Sequence, residues 1–147
     1  MSWSTTALST RASVKKIESE FSSTSFVADT QIDDKIALAK SIIGNSTELY
    51  LTVEKKITVD EADGEILLDT IANPSVLALA SDYLVASLLL EDISGGDDRS
   101  LSFIKSERDY QAYLVQYESA KDRFNLDHDL DGTADTYRDS HVGMLVR

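Results

Sequence analysis

The chain has 147 residues, 42% of them hydrophobic, which suffices for one modest core and is too little for two. Acidic residues outnumber basic ones 26 to 14, and the net charge of −12 argues against gripping nucleic-acid phosphates or docking on anionic membranes, since both rely on Lys and Arg. Cysteine is absent, which removes disulfides, thiolate metal sites and Cys nucleophiles.

Residues 1–12 carry Ser, Thr, one Trp and no period, and read as a flexible N-terminal arm. From Ser13, a plausible N-cap, Val14, Ile17 and Phe21 fall on one face at helical spacing until Ser22-Ser23-Thr24-Ser25 stops the pattern. A second helix is predicted near 30–50. Thr30 and Asp33 resemble a capping box, and Ile32, Ile36, Ala39 and Ile43 make its apolar stripe. Gly44-Asn45 offers a stop, although Leu49 and Leu51 suggest a further turn or two. Ile57-Thr58-Val59 and Ile66-Leu67-Leu68 flank Asp63-Gly64, so residues 52–72 read either as a short β-hairpin or as a surface loop lying on the helices.

Asn73-Pro74 opens the strongest element, with Asn as N-cap and Pro at the first helical position. From Val76 to Leu90 only Ser81, Asp82 and Ser87 are polar, too short a run to span a membrane and right for a buried central helix. Leu77, Ala80, Leu84 and Leu88 are its expected core, and Gly95-Gly96 its end. Ser106 with Asp109 marks a fourth helix to about Phe124, with Tyr110, Leu114, Tyr117, Ala120 and Phe124 as inner stripe and Tyr113 beside it. Beyond Asn125 the period vanishes. The expectation is therefore an all-α fold: a flexible arm (1–12), a small helical bundle around a buried central helix (13–124), a possible β-hairpin insertion and an extended acidic C-terminal arm (125–147).

Little in the sequence points to catalysis. Both histidines, His128 and His141, lie in the tail, and no phosphate-binding glycine loop or dinucleotide fingerprint occurs, so the chain is expected not to be an enzyme. One motif has a mechanism. Asp127, Asp129, Asp131 and Asp135, with Gly132, match positions 1, 3, 5, 9 and 6 of a calcium loop, where alternating carboxylates can wrap one hard cation. Position 12, a bidentate Glu in such loops, is Arg138 here. The segment reads either as a partial site for Ca2+ or another divalent cation, or as an acidic turn; no cofactor is required. The Met144-Leu145-Val146 cluster ends an otherwise polar tail and reads as a partner-binding tip. Trp3 reads either as an anchor that buries against a neighbour or as part of a disordered arm.

Several stretches, taken in order, resemble the head–tail connector adaptor proteins of tailed phages and tailed archaeal viruses. They are Ile32-Asp33-Asp34-Lys35-Ile36-Ala37-Leu38-Ala39-Lys40, then Ala72-Asn73-Pro74-Ser75-Val76-Leu77-Ala78-Leu79-Ala80-Ser81-Asp82-Tyr83-Leu84, then Tyr113-Leu114-Val115-Gln116-Tyr117-Glu118-Ser119-Ala120, and last the Asp-rich tail. The resemblance covers roughly residues 28–135 by pattern and order of elements. It implies a structural virion protein: a helical bundle in a closed ring, usually of twelve copies, between the portal protein and a tail-proximal connector or tail-completion protein. It would sit at the head–tail interface, after assembly in the host cytoplasm. DNA would pass through the ring without specific binding, and no membrane would be involved. The partial cation loop departs from that pattern. The competing expectations are a monomeric helical module that responds to calcium and a small helical regulatory protein.

Overall fold

A computed structural model of the protein describes residues 3–127 and 130. Four α-helices make up the described fold: α1 (Arg11–Ile17), α2 (Asp29–Val53), α3 (Ala78–Ser94) and α4 (Leu101–Lys121). Helix α3 is the central one, packed along α4 and also against α2 and α1. Its apolar composition explains that place, because Leu77 just before it and Ala80, Leu84, Val85, Ala86, Leu89 and Leu90 within it are all buried on different sides of the axis. Of the expected core positions only Leu88 is partly exposed, although it still packs on the core.

The helix starts lie a few residues from where the sequence places them, for local reasons. Helix α1 begins at Arg11 because Thr10 is the N-cap; Ser13 supplies the reciprocal half of a capping box, its Oγ accepting from the Thr10 N–H at 2.9 Å. Helix α2 begins at Asp29 behind Ala28, whose N–H donates to Gln31 Oε1 at 2.8 Å, so Thr30 and Asp33 are not the capping pair. Arg11 reaches across to Asp33 with two hydrogen bonds, at 2.8 and 2.5 Å, and this charge holds the Asp33 carboxyl below the ordinary carboxylate range.

Gly44 does not stop α2. The missing side chain lets Trp3 and Leu68 approach: a Cβ at Gly44 would lie 3.4 Å from the Trp3 ring and from Leu68 Cδ1. The helix ends instead at Val53, and Lys56, with a left-handed φ of 55°, then turns the chain so that Ile57 N–H bonds the Leu51 carbonyl at 3.0 Å.

Residues 54–77 contain no hairpin. The described residues hold only an isolated antiparallel bridge between Ile71 and Leu126, and the connector lies on the helices as a loop with short 3₁₀ turns at Glu61–Asp63, Leu67–Thr70 and Pro74–Leu77. Ile57, Leu68 and Ile71 are buried and pin it down, whereas the stretch between Ile57 and Leu68 has too few buried side chains to hold a strand pair against a core. Asn73 is not the cap of α3. Its amide Nδ2 donates to the Arg123 carbonyl at 2.8 Å and its Oδ1 accepts from Asn125 N–H at 2.7 Å, clasping the end of α4.

Part of each segment expected to be an arm belongs to the bundle. The N-terminal residues from Trp3 onward pack on the bundle, with Trp3, Thr6, Leu8 and Ser9 buried. The stretch carries no apolar period, yet Trp3 packs beside Gly44 of α2 and Leu8 joins the core. Residues 125–127 belong to the body as well: Ala72 N–H donates to Asn125 O at 2.7 Å, Asp127 N–H donates to Thr70 O at 2.6 Å, and Leu126 is buried.

Candidate interaction surface

Helix α4 has an inverted character. Inward it turns Ser106, Asp109, Tyr113, Tyr117 and Ala120, all buried, while Leu101, Ile104 and Val115 stand on its outer face at more than half exposure. Tyr110 and Leu114, expected on the inner stripe, are also exposed. Ser106 and Tyr117 are held by partners. Ser87 Oγ donates to the Ser106 carbonyl at 3.0 Å and Ser106 Oγ returns a bond to the Ser87 carbonyl at 2.9 Å, while the Tyr117 hydroxyl lies 2.9 Å from Thr47 Oγ1. Helix α4 starts at Leu101 because the Ser100 side chain accepts from Phe103 N–H, so Ser106 lies inside the helix instead of capping it.

The C-terminal ends of α2 and α4 enclose a groove of about 380 Å3 lined by Leu49, Tyr50, Val53, Tyr117 and Lys121 among others. The Lys121 ammonium sits 4.8 Å from the Tyr50 ring centre and 5.3 Å from that of Tyr117, and pairs with Glu118 at 2.9 Å. Burial raises the Tyr50 phenol to about 12, helped by the negative charge of Glu54 and Asp122, and burial likewise raises Tyr117. The groove thus offers aromatic faces, two exposed aliphatic side chains and one cation at neutral pH. The outer face of α4, with Leu101, Ile104 and Val115, is a separate apolar surface of the kind that protein contacts cover.

The site residues expected from the sequence fall in different places. Trp3 is buried within its own chain, its N–H bonded to Asp69 Oδ1 at 2.8 Å and its ring 5.7 Å from the Lys40 ammonium. It anchors the N-terminal segment within its own chain. Asp127 is buried where its backbone pairs with Thr70. Asp129, Asp131, Asp135, Met144, Leu145 and Val146 lie outside the described residues. Among the described residues there is no cluster of three or more His, Asp or Glu side chains suited to a metal, and no helix long and apolar enough to cross a membrane. Sequence reasoning missed the outer face of α4. The available signal was the spacing of Leu101, Ile104 and Val115 at i, i+3 and i+14, a second stripe on the same helix.

No protein-family model matches the chain, and neither curated proteins nor solved structures gave a match.

Proposed function

We propose that the chain is a structural adaptor of a viral head–tail connector, forming a ring, most simply of twelve copies, between the portal protein and a tail-proximal connector or tail-completion protein. The observation that carries this reading is the outer face of α4, where Leu101, Ile104 and Val115 are exposed beside a bundle whose core is already filled. A lone subunit gains nothing from those side chains in water, and a lateral neighbour in a ring would cover them. The net charge of −12 supports the same reading, because a negative channel wall repels phosphates and lets DNA slide. The order of elements from α2 through α3 to the end of α4 agrees with the resemblance noted in the sequence. The virion is then the protein's final location.

Co-expression with the portal protein encoded by the same genome, followed by electron microscopy and native mass measurement, tests the proposal. A closed ring of the chain on the portal is the expected result. A chain that stays monomeric and fails to bind the portal would overturn it.

A further inference from the structure

The junction between the N-terminal segment and α4 contains a feature that the adaptor reading does not use. Glu18, between α1 and the 3₁₀ turn at Ser19–Ser22, and Asp109 on α4 are both buried carboxyl residues, 6% and 2% exposed. The Arg108 guanidinium bridges them, bonding Glu18 Oε2 and lying 3.3 Å from Asp109 Oδ1. Lys105 lies 3.9 Å from Glu18 and 3.2 Å from Glu20. Asp109 Oδ2 is the one buried side-chain oxygen among the described residues that no donor reaches, and the two carboxyl groups share one Arg108 nitrogen, which places them side by side. Two ionised carboxylates cannot bond each other; a single proton between them can supply the missing donor.

We propose that Glu18 and Asp109 form a proton-operated latch that fastens the N-terminal segment to α4. With the proton in place the carboxyl pair is bonded and carries one negative charge, which Arg108 balances. Without it, two buried negative charges repel across the junction and Oδ2 is left unsatisfied, so the segment around Glu18 is released more readily. Burial, then the hydrogen bond and the charge of Glu18, push the Asp109 carboxyl up to about 7, with Arg108 acting in the opposite direction.

The other charges around the junction are committed elsewhere. On α1, Lys15 pairs with Asp29, and Lys16 acts on Asp82. On α3, Asp82 accepts from Ser13 Oγ and Asp92 pairs with Lys35, while Ser87 is the side chain turned to α4 one turn before Asp109.

The sign follows from linkage. The folded carboxyl holds its proton up to about 7 and the released one only to its ordinary 3.8, so the latch is strongest in acid and weakens as pH rises between those values. Between pH 6 and 8, opening of the segment should increase roughly tenfold.

Amide hydrogen exchange of residues 18–23 in the full chain, corrected for intrinsic rates, reads this directly. The expected result is about a tenfold loss of protection from pH 6 to 8 in the wild type, and no such loss in Asp109→Asn, whose amide supplies a fixed donor. Comparing the two proteins removes contributions from titration elsewhere in the chain. Carbon NMR of the wild-type carboxyl groups provides a readout that needs no variant: one carboxyl at this junction should titrate near neutrality. Equal pH dependence in wild type and Asp109→Asn, or carboxyl groups that all titrate below pH 5, would overturn the latch.

Discussion

Helices α3 and α4 pack along each other yet solve burial in opposite ways. Helix α3 is apolar nearly all round and is surrounded by α1, α2 and α4, so its stability rests on packed hydrocarbon. Helix α4 turns a serine, two tyrosines and an aspartate inward and aliphatic side chains outward. The inner serine and Tyr117 each have a partner at hydrogen-bond distance, which is the condition for burying polar groups at small net cost. The difference teaches that an inner face is recognised by what satisfies its side chains as much as by hydrophobicity. A helix built this way leaves its aliphatic residues free for another purpose.

The largest expected effect lies on α3. Leu84→Ala removes a side chain that is 2% exposed, and urea denaturation should show a loss of about 2–5 kcal/mol from lost burial and the cavity left behind. A loss below about half a kcal/mol would mean that α3 is not the hydrocarbon core of this comparison. An intermediate effect is expected on the inner face of α4. Tyr117→Phe keeps the ring and strands the buried Thr47 hydroxyl, costing about 1–3 kcal/mol by the same measurement. Stability unchanged or raised would show that the α4 interior does not depend on its polar partners. The smallest effect on folding belongs to the outer face: Ile104→Ser combined with Val115→Ser should shift stability by no more than about half a kcal/mol, because both side chains are already in water. The same double variant should lose ring formation on the portal, visible by electron microscopy; normal rings would remove α4 from the proposed lateral contact.

The comparison also shows how far the sequence could be read. The all-α class, the central helix and its stop at Gly95-Gly96 follow from periodicity and punctuation, and the helices bear them out. Misreadings arose where one residue had a tertiary partner that local pattern cannot display. Gly44 looks like a stop until Trp3 and Leu68 are seen beside it. Asn73 looks like a cap, but its amide is taken by the backbone at 123 and 125. Tyr110 and Leu114 look like an inner stripe because they are apolar, whereas Ser106 and Asp109 occupy that face, Ser106 through hydrogen bonds with Ser87 on another helix. For the candidate surface, only its second stripe on α4 was legible; the groove depends on Leu49, Val53 and Tyr117 coming from elements more than 60 residues apart.

The clasp at Asn73 has a mechanical consequence. Beyond α4 the chain runs antiparallel to residues 70–72, fixed by bonds from Ala72 and Asp127 and by both ends of the Asn73 amide. A pull on the chain past Leu130 therefore reaches this cross-tie before it reaches α4. The load divides between the end of α4 and the turn that leads into α3, and α4 is spared from peeling off turn by turn. The arrangement works as strain relief, like the grip that holds a cable where it leaves its housing. A subunit tethered by its C-terminal residues could take up tension there while its bundle kept its shape.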